Sequence, residues 1–202
     1  MPRTPPITSE DSIKPIFACS LALLRLLPTV AISATDLVRL TPDTWDEYAP
    51  AGKEVDCIYG DYVLRNDKII AVIAEPLPTR NANMTVRNNG AMIIDLTRSD
   101  APNDQLSAYH PNAMEVSFHS PDRVAIKVDG KDASASGGEI LRGGKIEWQC
   151  STTAKSGLGV TVRYSLADGA DVFDGRPAAS ESSERVPVEV HAADARRRRP
   201  GH

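Results

Sequence analysis

The chain has 202 residues, of which 41% are hydrophobic and 25% are charged, and its formal net charge is −4. This composition is typical of one globular domain and excludes collagen, an extended coiled coil, a polytopic membrane protein and a fully disordered chain. The negative charge also argues against a nucleic-acid-binding protein that a basic field would hold on its ligand.

The first 34 residues have the pattern of an export signal. The apolar run IFACSLALL is followed, after Arg25, by LLPTVAISA, which ends in small residues at Ala31, Ser33 and Ala34. Neither apolar piece reaches the roughly 20 residues that a membrane-spanning helix needs, so a stable membrane span is not expected. We expect residues 1–34 to form a signal helix that is cleaved on export to the periplasm or the extracellular space. The alternative is an amphipathic helix that packs on the domain.

Composition divides the rest of the chain into a linker at 35–53, a β-rich body at 54–173 and a polar tail at 174–202. In the body, the segments MEVSF, RVAIKVD, KIEWQC and LGVTVRYSL alternate apolar and polar residues with period two, as strands with one buried face do. The segment IIAVIA at 69–74 is apolar at every position, which suits a strand covered on both faces. The sequence therefore predicts an all-β fold, an antiparallel β-sandwich.

Two hairpins follow from the polar links between these segments. The turn HSPDR predicts that residues 114–118 fold back on residues 124–128, with Phe118 opposite Val124. The link STTAKSG predicts a second hairpin between KIEWQC and LGVTVRYSL. In that hairpin Trp148 would lie opposite Val162, and the apolar side chains of both strands would share one face.

The tail at 174–202 lacks Leu, Ile, Phe, Met, Trp and Tyr, so it cannot bury enough apolar surface to offset its ordering entropy. We expect it to be disordered, except that Val186, Val188 and Val190 could form one edge strand. The terminal ARRRRPGH is typical of a solvated charge run. On this hypothesis the sandwich is incomplete, and residues 158–166 form its last strand near an exposed edge.

Cys57 and Cys150 would remain after the signal peptide is removed. They lie far apart in the chain and belong to no repeating framework. The sequence leaves both a disulfide and two buried free thiols open.

Catalytic motifs are mostly missing from the sequence: there is no GxSxG, no phosphate-binding loop, no HExxH, no CxxC and no HxH pair. We therefore expect no metal and no cofactor, and we interpret the DGKD segment that begins at Asp129 as a turn and not a calcium loop. The candidate binding residues are His119, Glu147 and Arg163, because the alternation places them on the polar face. The alternative is structural: an exposed histidine at a strand end, and a cross-strand ion pair between Glu147 and Arg163.

Two stretches carry a resemblance to known proteins. GDYVLRNDKIIAVI followed by GAMIIDL resembles the opening module of large exported bacterial proteins with a GDYLLRN…GGxLID pattern, some of which continue into a phosphoesterase of the polymerase-and-histidinol-phosphatase type. The run from MEVSFHSPDRVAIKVDGK to VTVRYSLADGAD is similar in rhythm to the first half of a galactose-mutarotase-like β-supersandwich. Together these stretches cover roughly residues 54–172, and they imply a supersandwich-like fold without naming an activity.

We therefore expect an exported, non-catalytic β-sandwich module of a larger surface protein, with a carbohydrate or a cell-surface protein as its partner. The alternatives are a mutarotase-like or lyase-like carbohydrate-active enzyme, or a truncated remnant without independent function. An enzyme would need His110 or His119 within hydrogen-bond reach of a carboxylate such as Glu115 or Glu147.

Export gives the first testable prediction. Because the small residues before Thr35 suit signal peptidase, exported protein should begin near Thr35. Intact-mass measurement of the secreted fraction checks this, with the cytoplasmic precursor as the control. Exported material that retains Met1 would contradict a cleaved signal.

Overall fold

The computed structural model describes residues 34–52, 56–82, 86–102, 108–110, 116–154 and 157–179, with side chains as far as residue 175. The predicted signal peptide, apart from Ala34, lies outside these residues. So does the tail from residue 180 onward, with its predicted strand at 186–190.

Ten strands, one short α-helix and one 3-10 turn occur within the described residues. In chain order they are β1 Thr35–Arg39, α1 Trp45–Tyr48, β2 Tyr62–Arg65, β3 Ile69–Ile73, β4 Ile93–Arg98, the 3-10 turn Pro121–Arg123, β5 Val124–Val128, β6 Lys131–Ala133, β7 Ile140–Gly143, β8 Lys145–Thr153, β9 Gly159–Ala167 and β10 Asp174–Ala179. No helix in this part of the chain is long and apolar enough to cross a bilayer.

The strands form two antiparallel sheets of five strands each. Sheet 1 has the order β4-β3-β2-β1-β7, and sheet 2 has the order β10-β9-β8-β5-β6. β7 and β8 are separated by Gly144 alone, so the chain passes from one sheet to the other at this corner. The all-β, sandwich-like fold predicted from the sequence is confirmed.

The main core lies between the two sheets, and a second apolar cluster covers the outer face of sheet 1. Leu37, Leu64 and Ala71 point from sheet 1 into the main core, toward Ile146 and Val162 of sheet 2. The intervening side chains of sheet 1 pack instead with α1 and the adjoining loops. Both faces of β3 are therefore covered, as its unbroken apolar sequence predicted. The outer face of sheet 2 is polar and open.

A chain of aromatic rings runs through the main core. The Trp148 ring lies 5.5 Å from that of Tyr62 in sheet 1 and 5.8 Å from that of Tyr164 beside it in sheet 2, and Tyr164 contacts Phe173 at 5.7 Å. The Tyr164 hydroxyl donates a 2.9 Å hydrogen bond to the carbonyl of Ala91, in the segment that leads into β4. Burial raises the pKa of this hydroxyl, so it stays protonated and keeps donating between the sheets.

Asn66 ties the β2–β3 turn to the β9–β10 connection. Its Oδ1 accepts hydrogen bonds from the backbone N–H groups of Lys68 and Ile69, and its Nδ2 donates to the carbonyls of Ala167 and Ala170 at 2.8 Å each. A buried amide whose donors and acceptor are all used in this way fixes the relative position of two distant turns. Across this polar turn, β2 and β3 pair as an antiparallel hairpin.

The two described cysteines are free and buried. Cys150 lies in the main core and Cys57 in the cluster outside sheet 1, so the open question of a disulfide is answered in favour of two thiols. Burial raises the pKa of each thiol to about 12. Both groups are therefore uncharged and of low nucleophilicity near neutral pH.

The predicted hairpin between residues 114–118 and 124–128 is wrong. The described residues 116–120 form no strand, and Phe118 does not pair with Val124. β5 pairs instead with β6 and β8. The reason is turn chemistry: Asp129 and Gly130 both have positive φ (50° and 78°), which suits a tight two-residue hairpin turn. The interpretation of the DGKD segment as a turn is confirmed.

In the second hairpin the faces are right but the register is wrong by two residues. Trp148 lies opposite Tyr164 and not Val162, while Arg163 lies opposite Gln149 and not Glu147. A slip of two residues keeps every side chain on its own face, so the alternation could not distinguish the two registers. The turn decided it, because Gly157 has a φ of 85° that most residues avoid.

Both ends of the predicted β-rich body need correction. The predicted linker at 35–53 contains β1, which lies inside sheet 1 between β2 and β7, as well as α1. β1 was missed because four of its five residues are buried, which removes the alternation.

At the other end of the body, β10 pairs along β9, so residues 158–166 are neither the last strand nor an edge. Backbone hydrogen bonds hold β10, and its Pro177 is tolerated because β10 is an edge strand.

The aromatic core gives a stability prediction. Trp148→Ala should lower the free energy of unfolding by about 3–5 kcal/mol, because a fully buried indole between the sheets is lost and a cavity remains. Chemical denaturation measures the change. The control is Gln149→Ala on the open face, which should stay within about 0.5 kcal/mol of the parent. Equal denaturation midpoints for the two variants would contradict the assignment of Trp148 to the core face and Gln149 to the open face of sheet 2.

Candidate binding cleft

A cleft lies where the β3–β4 loop meets the segment before the 3-10 turn. Its volume is about 260 Å³. Ligand sites for drug-sized molecules occupy roughly 300–1,000 Å³, so this cleft suits one small unit of a ligand. The lining residues are Leu77, Pro78, Thr79, Asn88, Ser117, Phe118 and His119.

A buried ion pair between Asp61 and Arg80 anchors the loop that forms one wall. The Asp61 carboxylate is fully buried and the Arg80 side chain is 4% exposed, with Nη2 2.5 Å from Oδ2 and Nε 3.2 Å from Oδ1. The carboxylate also accepts hydrogen bonds from the backbone N–H groups of Ile58 and Glu75, at 2.8 and 2.7 Å. Removing two charges from water costs free energy, and a buried ion pair offsets this cost only when its other donors and acceptors are also hydrogen-bonded. Here they are.

Backbone hydrogen bonds close the same loop at its base. The N–H of Ala91 donates to the carbonyl of Ala74, and the N–H of Ala74 donates to the carbonyl of Met92, both at 2.8 Å. Further out, the N–H of Asn89 donates to the carbonyl of Arg80 at 2.7 Å. The two arms of the loop are thus joined directly behind the cleft.

Two lining residues have a backbone conformation that side chains rarely adopt. Thr79 has a φ of 61° and Asn88 a φ of 58°. Asparagine tolerates this left-handed region, whereas a β-branched threonine is strained in it by roughly 1–3 kcal/mol. The loop anchored at Arg80 maintains both conformations, which turn the two side chains toward the cleft.

Gly90 allows the second wall to approach the first. A Cβ atom at this position would collide with the carbonyl oxygen of Phe118 and would crowd the backbone of Pro76 and Leu77. Only glycine accommodates this contact between the two segments. The glycine of the GAMIIDL segment therefore shapes the cleft.

The lining combines polar groups with an apolar floor. Thr79 and Ser117 offer hydroxyls, Asn88 an amide and His119 an imidazole, while the other lining residues are apolar. Each of these four polar side chains can both donate and accept a hydrogen bond. No carboxylate, ammonium or guanidinium group belongs to the described lining.

The structure places one of the three sequence-predicted binding residues in the cleft. His119 is exposed and lines it. Glu147 and Arg163 lie on the outer face of sheet 2. There Glu147 pairs with Lys145 at 2.5 Å, and Arg163 donates to Gln149 at 3.4 Å. The hydrogen bond from Lys145 lowers the pKa of Glu147. The structure does not bring these two residues together with His119.

The acid–base pair that an enzyme would need is not formed by the described residues. Burial lowers the pKa of His110, and neither of its ring nitrogens has a hydrogen-bond partner there. Neither His110 nor His119 forms an ion pair or hydrogen bond with a described carboxylate. Glu115 lies outside the described residues.

Sequence reasoning missed Thr79, Asn88 and Ser117 as candidate binding residues. The alternation of apolar and polar residues does not single out Thr79, the NNG segment at 88–90 or Ser117 as binding residues. The Asn-Gly and Pro-Thr pairs are the signals that could have drawn attention to these positions, because they mark tight turns. Their convergence on His119 depends on tertiary contacts.

Comparisons with protein-family models, with curated proteins and with solved structures find no match to this chain.

The ion pair behind the cleft can be tested by a nearly isosteric change. Asp61→Asn should lower the free energy of unfolding by about 3–5 kcal/mol, because it leaves the buried Arg80 guanidinium without a counter-charge. Urea unfolding measures the change. Asp122→Asn, on the exposed 3-10 turn, is the matched control and should be close to neutral. Equal stability of the two variants would show that the pair is not essential.

Proposed function

We propose that this chain is an exported, non-catalytic β-sandwich module that binds an uncharged carbohydrate in the cleft, as one part of a larger surface protein. The observation that carries the proposal is the lining: hydroxyl, amide and imidazole groups surround an apolar floor, and no carboxylate, ammonium or guanidinium group belongs to the part of the lining that the structure describes. A sugar ring presents the complementary surface, with hydroxyl groups at its edge and C–H groups on its faces.

The chemistry of the polar groups favours a ligand with hydroxyls. Each hydroxyl of a sugar donates one hydrogen bond and accepts others, and the side chains of Asn88, Ser117 and Thr79 can do both. A ligand with a phosphate or carboxylate group would be desolvated in the cleft without a cation to offset the cost. Binding specificity would then rest on hydrogen-bond geometry.

Recognition is favoured over catalysis because the cleft offers one titratable side chain, His119, and no described partner for it. General acid–base chemistry at a sugar needs a positioned acid and a positioned base. A rigid wall with strained backbone suits binding, because less ordering entropy is lost when the ligand arrives.

An exported location fits the position of β1. Cleavage before Thr35 would leave every described strand intact, since β1 begins at that residue. The proposed location still rests on the pattern of residues 1–34.

A glycan array with the full chain tests the binding function. His119→Ala and Asn88→Gly should each weaken binding of a captured glycan about three- to tenfold, the loss expected for one hydrogen bond to a neutral group. Glycine at position 88 keeps the left-handed backbone, so this variant removes only the amide. Arg163→Gln, on the outer face of sheet 2, is the control and should bind like the parent.

Other outcomes would overturn the proposal. Weaker binding by Arg163→Gln with unchanged binding by Asn88→Gly would move the site to the outer face of sheet 2. Chemical conversion of a captured glycan, with loss of turnover in His119→Ala, would make the protein an enzyme. Absence of any captured glycan would remove carbohydrate as the ligand class.

A further inference from the structure

An exposed aromatic patch lies apart from the cleft. We define it by Ile58, Tyr59 and Trp45, which join the loop before β2 to the helix α1. Ile58 is 45% exposed and Tyr59 is 56% exposed, and the Trp45 ring meets the Tyr59 ring edge to face with centroids 5.1 Å apart. Large apolar side chains grouped at the surface mark interaction sites more often than isolated ones do.

The backbone beneath the patch is firmly held. The N–H of Ile58 donates to the buried carboxylate of Asp61 at 2.8 Å, and the N–H of Gly60 donates to the carbonyl of Leu40 at 2.8 Å. Gly60 has a φ of 101°, and a Cβ there would collide with the Glu75 carboxylate. The turn that presents Tyr59 to solvent is thus fixed by buried contacts, which reduces the entropy lost on binding.

Acidic residues lie close to Trp45 in the chain. Asp43, Asp46 and Glu47 flank or follow Trp45 in the chain, all three are exposed, and α1 carries no basic residue. Glu47 is paired with Arg65, and Arg39, whose Nε donates to the carbonyl of Gly60, is paired with Glu75. Asp43 and Asp46 form no ion pair with a described residue, so they leave the surface near α1 negative. Aromatic faces attract cations as well, by roughly 0.5–1 kcal/mol at exposed sites.

The same helix already binds an arginine within the chain. The Arg65 guanidinium lies 3.7 Å from the centroid of the Tyr48 ring, and its Nη2 is 3.3 Å from the Glu47 carboxylate. Trp45 and Tyr59, with the exposed Asp46 that follows Trp45 in the chain, offer the same types of group near the surface.

We propose that the aromatic patch and its acidic neighbours form a docking surface for a basic polypeptide segment. An Arg or Lys of the partner would stack on Tyr59 or Trp45 and pair with Asp46, and an apolar residue of the partner would contact Ile58. A sugar fits this surface less well, because the interplanar angle of 78° leaves no flat platform formed by both rings. The proposal does not depend on the carbohydrate cleft.

The test measures binding of a fluorescent peptide of alternating Arg and Leu to the full chain by anisotropy. Tyr59→Ser should weaken binding tenfold or more, as expected for an aromatic hot spot. Asp46→Asn should weaken it about threefold and flatten its salt dependence. The matched control is Leu158→Ser, which removes an exposed apolar side chain in the β8–β9 connection and should leave the affinity unchanged.

The contrary outcomes are distinct. The proposal would be overturned if the Arg peptide did not bind, or if a peptide with Glu in place of Arg bound equally well. It would also be overturned if Tyr59→Ser and Leu158→Ser lost the same amount of peptide affinity. Self-association that Tyr59→Ser abolishes would assign the patch to a second copy of the chain. Glycan capture that Tyr59→Ser abolishes would assign it to a carbohydrate. Thermal melting confirms that each variant is folded.

Discussion

The carboxylate of Asp61 is the group on which both candidate surfaces depend. Through Arg80 it fixes the loop that forms one wall of the cleft, and through the N–H of Ile58 it fixes the turn that carries the aromatic patch. A charge without exposure to water is stable only while all of its partners remain in place. Two surfaces at separate loops are therefore positioned by one buried ion pair.

The GDYVLRN segment owes its sequence to architecture. Gly60 makes the turn, Asp61 is the buried anion, Tyr62 enters the aromatic core, and Asn66 joins the turn after β2 to the segment after β9. Most of the letters of the motif therefore correspond to a contact that joins separated parts of the chain. These contacts give the segment a structural role in this chain.

The two sheets differ in what they leave exposed, and both candidate surfaces lie in the loops. Sheet 1 is covered on both faces, by the main core and by the cluster around α1. The outer face of sheet 2 is open, and on it Lys145 pairs with Glu147 along β8. The predicted cross-strand ion pair between Glu147 and Arg163 is wrong, because Arg163 lies opposite Gln149 and Glu147 lies opposite Ser165.

The sequence by itself determined the fold class, the strands β3, β5, β8 and β9, and the core-facing side chains of β5, β8 and β9, because alternation reports burial locally. It also placed His119 among the candidate binding residues. Only the tertiary structure decided the partner of Trp148, the position of β1 inside sheet 1 and the pairing of β10. A two-residue slip leaves the alternation unchanged, β1 contains the polar residues Thr35 and Asp36 that become buried only in the fold, and β10 is held by its backbone. The cleft likewise exists only because Arg80 and Gly90 bring two distant segments together, and contacts between distant segments are not encoded in local periodicity.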